Sequence, residues 1–344
     1  MLMVIFGAGA SYDSAPSCRA PPNANSKGQY WDLRPPLANE LFDDRAIFSS
    51  AISRYSRIQP IIPHLRHFSS NSSVEQELEK LQTDADEDPV KQKQLAAVRF
   101  YLQEVIWKCQ RVWNEEVAKD VSNYKTLLEA IRHWRRSQDQ SEPTYLVTFN
   151  YDKMLEIALR SVDVRINDLS DYIASEYKLI KLHGSVDWVH PVADKITWTD
   201  MVSEVIEMAA NLKISLEYEK VDLDLSSGEI NKKKAFFPAL AVPVQNKQRY
   251  ECPVEHVNLL RDCLSNIRKL LVVGWSATEQ NFLQLLSEKL SGNPQVKVVS
   301  SGIDSAKRVI QNLENAGVKG NLVPSESGFS DFVSQHFADE FLKK

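Results

Sequence analysis

The sequence has few cysteines, no long apolar run and no excess of positive charge. Its 344 residues include four cysteines, and no two of them form a CxxC pair. This argues against a zinc ribbon and fits a reduced setting, so we expect a cytoplasmic protein. The chain carries 41 Lys and Arg against 46 Asp and Glu, a formal net charge of −5. We therefore expect no direct binding to nucleic acid or to a membrane surface.

Apolar segments are too short for a membrane span, which takes about 20 apolar residues in a helix. Residues 1–6 lack a basic leader and run directly into a glycine, so they are predicted to form a buried strand rather than a signal peptide. Similar runs predict further strands at residues 145–149, 179–182, 270–273 and 296–299. A weaker run at 236–244 contains two prolines and is predicted to be an edge strand or a loop.

Apolar residues at spacings of three and four predict helices between these strands. The predicted helices cover residues 95–113, 127–134, 257–267 and 306–313, and Gly317 is a candidate C-cap for the last of them. The alternation predicts a doubly wound, mainly parallel, Rossmann-like α/β sheet. We expect one domain over residues 1–344, with a large helical insertion at 40–140 and a second, polar insertion at 190–235.

The helix at 95–113 carries a wide apolar stripe, with Trp107, Trp113 and Trp134 adding aromatic surface nearby. One interpretation is that the stripe packs on the sheet as ordinary core. The other is that part of the insertion forms a subunit interface, where aromatic side chains dominate affinity.

A glycine-containing segment, FGAGAS at residues 6–11, directly follows the first predicted strand. Glycines allow a sharp turn that brings backbone N–H groups close to a pyrophosphate, so residues 7–11 (Gly7, Ala8, Gly9, Ala10 and Ser11) are predicted to bind a nucleotide. The alternative is an ordinary glycine turn. Tyr12 replaces the third fingerprint glycine, and no acidic residue closes a second strand about 20 residues on, which argues against a dehydrogenase.

Polar motifs also follow two of the next predicted strands. Asn150 and Asp152, in TFNYD, lie just beyond a strand end, where open α/β sheets bind ligands, although either side chain could instead cap a helix. His183, in KLHGS, is placed to present an imidazole to a cleft for proton transfer. A structural role is the alternative for His183 and is assigned to the other six histidines.

A later strand ends in VVGWS, where Gly274 and Ser276 offer a close backbone and a hydroxyl to a ribose or a phosphate. Thr278 is a candidate N-cap for the helix that follows. That cap would account for Thr278 but not for the Gly-Trp-Ser turn before it.

In this order, GAGAS, TFNYD, KLHGS and VVGWS resemble the sirtuin-like family of NAD-consuming proteins, in particular its bacterial anti-phage defence branch of NAD hydrolases. The resemblance spans residues 1 to about 301. It implies that NAD+ is the substrate and that the reaction needs no metal. The implied roles are phosphate binding by Ala8, Gly9 and Ser11, nicotinamide and ribose contacts by Asn150 and Asp152, general-base catalysis by His183, and nucleotide contacts by Gly274 and Ser276.

The sequence departs from the deacetylating sirtuins in three places. Their zinc-binding CxxC pairs are absent, Phe149 replaces the glutamine before Asn150, and residues 14–17 replace their Pro-Asp-Phe-Arg segment. Residues 34–41, RPPLANEL, resemble the segment of defence-type members instead. We therefore expect hydrolysis of NAD+ to ADP-ribose and nicotinamide, depleting NAD+ in abortive infection. The alternatives are protein deacylation or ADP-ribosyl transfer, and a non-catalytic nucleotide-sensing subunit.

The resemblance also implies that the activity is regulated, because unrestrained NAD+ hydrolysis would kill the host cell. It implies a homo-oligomer, joined to a HerA-like ATPase-helicase or an Argonaute-like protein, with the activating trigger in another chain. These partner expectations rest on family analogy alone.

Overall fold

The structure is a computed structural model that describes residues 1–15, 31–67, 73–118, 122–138, 141–193, 201–221, 235–244 and 250–343. Within these ranges the chain forms nine strands: β1 (Leu2–Phe6), β2 (Thr144–Thr148), β3 (Tyr177–Lys181), β4 (Gly184–Pro191), β5 (Glu219–Lys220), β6 (Phe236–Leu240), β7 (Lys269–Val273), β8 (Gln295–Val299) and β9 (Asn321–Pro324).

The same ranges contain fourteen α-helices. They are α1 (Ala8–Asp13), α2 (Ala46–Arg54), α3 (Ile62–Arg66), α4 (Val74–Ala85), α5 (Pro89–Ala118), α6 (Asn123–Ser137), α7 (Met154–Ala158), α8 (Asp171–Ala174), α9 (Met201–Met208), α10 (Val254–Cys263), α11 (Gln280–Lys289), α12 (Ile303–Asn315), α13 (Phe329–Ser334) and α14 (Phe337–Lys343). None of the helices in the described residues combines the length and the apolarity needed to span a bilayer.

The main sheet has six parallel strands in the order β3-β2-β1-β7-β8-β9. β1 lies at its centre, with Leu2 opposite Thr144 of β2 and Lys269 of β7. All five residues of β1 are buried, as expected for a parallel strand covered by helices on both faces. The predicted α/β class is confirmed, and the five strong apolar runs all form strands of this sheet.

A second sheet of three antiparallel strands, in the order β5-β4-β6, adjoins the first. The weak run at 236–244 forms β6 at its edge, which confirms that prediction. Two residues, Leu182 and His183, separate the end of β3 from the start of β4 and form the passage between the two sheets. The sequence patterns missed β4 and also β9, a half-exposed edge strand that ends in proline.

The described residues between β1 and β2 are helical and contain no strand. The apolar stripe of α5 is core: Val98, Leu102, Val105 and Cys109 are 0% exposed and Trp113 is 1% exposed. Of the second insertion, residues 194–200 and 222–234 lie outside the described residues, and the remainder includes α9 and β5. The domain boundaries stay a prediction.

Two predicted helix ends have different outcomes. Gly317 follows α12 with φ +80°, and its N–H donates to the Glu314 carbonyl, so the predicted C-cap is confirmed. Thr278 does not cap α11, because the N-cap position is Glu279 and no side chain caps this helix. The Thr278 hydroxyl instead lies 3.0 Å from the Ser276 hydroxyl, within the turn.

Candidate active site

The four strand-end motifs meet at one cleft of about 800 Å³. It opens at the carboxyl ends of β1, β2 and β7, where the sheet order places three adjacent strands side by side. Nine of the ten predicted site residues line it: Gly7, Ala8, Gly9, Ser11, Asn150, Asp152, His183, Gly274 and Ser276. The tenth, Ala10, is fully buried behind the cleft wall.

The glycines after β1 and β7 are required by the close packing of two turns. A Cβ on Gly7 would lie 2.5 Å from the Gly274 carbonyl oxygen, and a Cβ on Gly274 would lie 2.3 Å from the Ala10 nitrogen. Gly274 also has φ +61°, in the left-handed region that favours glycine. The N–H groups of Gly7 and Gly9 donate to the carbonyls of Val273 and Gly274, so these two donors hold the turns together.

A buried polar network connects the first two motifs. The Ser11 hydroxyl lies 2.7 Å from Asp152 Oδ2, 3.0 Å from the Tyr124 hydroxyl and 2.9 Å from Asn150 Nδ2. A serine hydroxyl has a single proton, and an ionised carboxylate only accepts, so Ser11 donates to Asp152. Tyr124 must then donate to Ser11. The Ser11 hydroxyl is therefore engaged by protein groups on both sides.

The orientation of the Asn150 amide follows from its partners. Asn150 Nδ2 lies 2.9 Å from the Gly7 carbonyl oxygen, which can only accept a hydrogen bond. The nitrogen must face this oxygen, and the amide oxygen Oδ1 faces the opposite way. Asn150 lines the cleft, so Oδ1 is the acceptor it offers there. Asn150 does not cap α7, because Lys153 is the N-cap residue of that helix.

Asp152 is not the N-cap of α7, because Lys153 holds that position, and its ligand role stays a prediction. Its Oδ1 accepts the backbone N–H of Met154 at 2.9 Å, in the first turn of α7, while its side chain also lines the cleft. Behind it, the fully buried Lys181 ammonium donates to the Asp152 carbonyl and lies 2.8 Å from Glu156 Oε1. This buried ion pair ties the end of β3 to the TFNYD turn.

His183 is held by backbone bonds on both sides of the passage between the sheets. The Leu182 N–H donates to the Thr148 carbonyl, and the His183 carbonyl accepts the Ala241 N–H. Gly184 has φ +80°, and a Cβ there would lie 1.9 Å from the Ala239 carbonyl oxygen, so this position requires glycine. The His183 side chain lines the cleft while the residue is only 7% exposed, against the edge of the Phe149 ring at 4.9 Å between centroids.

Segment 34–41, which was singled out by resemblance, covers another wall of the cleft. Hydrogen bonds from two arginines fix the backbone of this segment. Arg34 donates to Glu40 at 2.6 Å, and Arg45 donates to the Arg34 carbonyl at 2.6 Å. Glu40 also accepts the Leu37 N–H at 3.1 Å. These bonds hold the two prolines and Asn39 against the cleft.

Two residues that support the site, Tyr124 and Lys181, were not predicted from the sequence. Tyr124 belongs to the helical insertion, far along the chain from any motif, and no local pattern marks it. Lys181 was part of KLHGS, but only its burial beside Glu156 shows its role. Among the described residues, no three His, Cys, Asp or Glu side chains form a metal-binding group. A metal-free reaction stays an expectation.

No protein family model matches the chain, and no curated protein matches it. Solved structures similar to it include Sir2 in complex with the inhibitor EX-527, 2'-O-acetyl-ADP-ribose and a deacetylated p53 peptide, at 13% identity and a TM-score of 0.43, covering 99% of this chain and 94% of that one. Sir2Tm bound to a propionylated peptide is 12% identical with a TM-score of 0.44, over 99% and 94% of the two chains. Sir2 with a p53 peptide and NAD+ is 12% identical with a TM-score of 0.41, over 99% and 93%.

Proposed function

We propose that this chain hydrolyses NAD+ to ADP-ribose and nicotinamide. The observation that supports this most directly is the convergence of Asn150, Asp152 and His183 on one cleft that also contains the glycine turn after β1. An amide, a carboxylate and an imidazole around a cavity of this size suit a reaction that orients a polar ligand and moves one proton.

In this proposal the dinucleotide lies across the strand ends, with its pyrophosphate at the turn after β1. Its nicotinamide ribose extends toward β2, where Asn150 and Asp152 line the cleft, and toward His183 after β3. Its adenosine extends toward β7, where Ser276 lines the cleft. Binding in the crevice at the carboxyl ends of the strands, where the strand order reverses, is general for open α/β sheets.

The proposed reaction replaces one bond at C1′ of the nicotinamide ribose. The N-glycosidic bond breaks, and its electron pair stays on the pyridine nitrogen, so nicotinamide leaves as a neutral molecule. A water oxygen forms the new bond to C1′ and loses one proton. The products are ADP-ribose, nicotinamide and that proton.

Each of three side chains has one task in the proposed reaction. Asn150 Oδ1 accepts a hydrogen bond from the water or from a ribose hydroxyl, and the Gly7 carbonyl fixes this orientation. Asp152, which is held by Ser11 and by the Met154 N–H, accepts a hydrogen bond from the carboxamide NH2 of nicotinamide. His183 takes the proton, as a general base near neutral pH.

The deciding experiment incubates the purified chain with NAD+ and measures free nicotinamide. We expect release that stops in Asn150→Ala, while calorimetry still detects NAD+ binding, because this variant keeps the turn after β1. A wild-type chain that binds NAD+ and releases no nicotinamide in any oligomeric fraction, alone or after addition of an acetylated peptide, would reject the proposal in favour of a sensing subunit.

We also propose that this activity depletes NAD+ in anti-phage defence and is gated by assembly, as a homo-oligomer with a HerA-like or Argonaute-like partner. Sedimentation of the purified chain, with activity measured in each fraction, tests the first step. A monomeric fraction with the full rate of nicotinamide release would reject gating by self-assembly.

A further inference from the structure

Tyr124 is the one contribution of helix α6 to the polar network behind the cleft. It is 1% exposed, and its ring contacts Phe6 at 5.3 Å and Phe329 at 6.0 Å, edge to face in both cases. The neighbouring Asn123 side chain donates to the Asp13 carbonyl at 2.7 Å and to the Ser330 hydroxyl at 2.9 Å. The start of α6 is thus fixed by contacts that do not involve the Tyr124 hydroxyl.

The Tyr124 hydroxyl lies 3.0 Å from Ser11 Oγ and 3.3 Å from Asn150 Nδ2. Burial raises the pKa of Tyr124 well above its ordinary value, and the nearby charge of Asp152 raises it further. The phenol is therefore protonated at neutral pH and donates to Ser11, while it accepts from Asn150. Its proton and lone pair are both used inside the site.

We infer that Tyr124 is a positioning residue, which holds the Asn150 amide and the Ser11 hydroxyl in the arrangement that the proposed NAD+ hydrolysis requires. Removal of its hydroxyl takes the phenolic donor from Ser11 and the longest of three contacts, at 3.3 Å, from Asn150 Nδ2. Without that donor the Ser11 hydroxyl can turn away from Asn150, so the amide relies on the Gly7 carbonyl and Oδ1 is held less firmly in the cleft. This inference rests on the proposed function, and it assigns part of the active site's support to the helical insertion.

The test compares Tyr124→Phe with Tyr55→Phe. Tyr55 is also a buried tyrosine of the insertion, and its hydroxyl donates to Glu104 at 2.8 Å, outside the cleft. Both variants keep the ring and lose a buried hydroxyl: Tyr124→Phe loses its bonds with Ser11 and Asn150, and Tyr55→Phe loses its bond to Glu104. Loss of one positioning hydrogen bond predicts that kcat for nicotinamide release falls about tenfold in Tyr124→Phe, with KM near its wild-type value. Tyr55→Phe should lose stability and keep kcat.

A second readout does not depend on activity. The side-chain amide resonances of Asn150, identified by their loss in Asn150→Ala, should shift and exchange faster with water in Tyr124→Phe but not in Tyr55→Phe. If Tyr124→Phe does not fold, Ser11→Ala breaks the same link from its other end and should change the same resonances. Unchanged Asn150 resonances in these variants overturn the inference. A wild-type chain that releases no nicotinamide in any oligomeric fraction rejects the proposed function, whereas the Asn150 resonances still decide the role of Tyr124.

Discussion

Phe149 and Trp275 stack with their ring centroids 5.2 Å apart and their planes inclined by 15°. Phe149 directly follows β2 and Trp275 follows β7, so this contact joins two motifs that flank the glycine turn after β1. The ring centroids of Phe282 and His183 lie 5.3 Å and 4.9 Å from the Phe149 centroid, both in edge-to-face geometry. The residue before Asn150 is therefore the centre of an aromatic cluster.

Replacing Phe149 by Gln should unfold the site rather than convert it to a deacylase. The substitution removes the stacked ring and places an amide at a position that is 6% exposed. Large-to-small core changes and buried polar groups together predict a loss of about 2–4 kcal/mol in the free energy of unfolding. Urea unfolding measures it. Phe149→Leu, which stays apolar, should lose less, and equal losses in the two variants would contradict the argument.

His183→Ala should remove nicotinamide release while the fold is kept. Loss of a general base typically lowers the rate by about 10²–10⁴. The matched control is His256→Ala, because His256 is 2% exposed and lies outside the cleft. That variant should lose stability and keep its rate. A folded His183→Ala protein with wild-type kcat would exclude His183 from the reaction.

Acid should weaken the contact between α5 and the loop behind His183. Burial by itself would raise the pKa of Glu251, but the hydrogen bond with His190 and the charge of Arg99 outweigh it and lower the pKa to about 2 from an ordinary 4.5. A depressed carboxyl pKa stabilises the fold above pH 4.5, and this contribution disappears as the pH falls toward 2. The difference in unfolding free energy between wild type and Glu251→Gln should therefore shrink over this range.

The exposed Glu255 provides the control for that experiment, since Glu255→Gln should change the free energy of unfolding little. The difference in unfolding free energy between wild type and Glu251→Gln is compared from pH 4.5 down to about pH 2, the two pKa values of this carboxyl. A difference that stays constant over this interval would contradict the lowered pKa of Glu251.

Gly274→Ala should destabilise the protein far more than Gly292→Ala. Both residues have a left-handed φ, +61° and +76°, so both substitutions carry the same backbone cost of about 1–2 kcal/mol. Only Gly274 faces another backbone: its new Cβ would meet the Ala10 nitrogen, while nothing lies within 4 Å at Gly292. Denaturant unfolding should show an additional loss for Gly274→Ala alone. Similar losses would mean that the two turns can separate without cost.

The sheet was predictable where burial alone decides the residue type. The strands β1, β2, β3, β7 and β8 are mostly buried, and their sequences are near-continuous apolar runs that lysines interrupt in β3 and β8. β4 was missed because its buried side chains include Ser185 and Asp187: Ser185 donates to Asp187, and Asp187 forms an ion pair with Lys153 at 2.7 Å. Partners that lie far apart in the chain leave no local pattern.

The residues that line the candidate site were predictable from the sequence, but the contacts between them were not. Strand ends in a parallel sheet meet at one edge, and this geometry brought Asn150, Asp152 and His183 to one cleft. The glycines of the first motif indicated nucleotide binding, yet the structure shows that Gly7 and Gly274 are also required by contact between two turns. A glycine-containing turn is compatible with nucleotide binding and with close packing of two turns. Only the distances in the structure show that the packing requires these glycines.

The central position of β1 has a consequence for how the chain folds. Its two neighbours in the sheet are residues 144–148 and 269–273, both far along the chain. During synthesis the apolar strand therefore has an unpaired edge until most of the sequence has emerged. Pairings of such long sequence separation fold slowly and expose aggregation-prone edges in the meantime. Soluble yield should consequently rise when expression is slowed by cooling or when chaperones are supplied together with the chain.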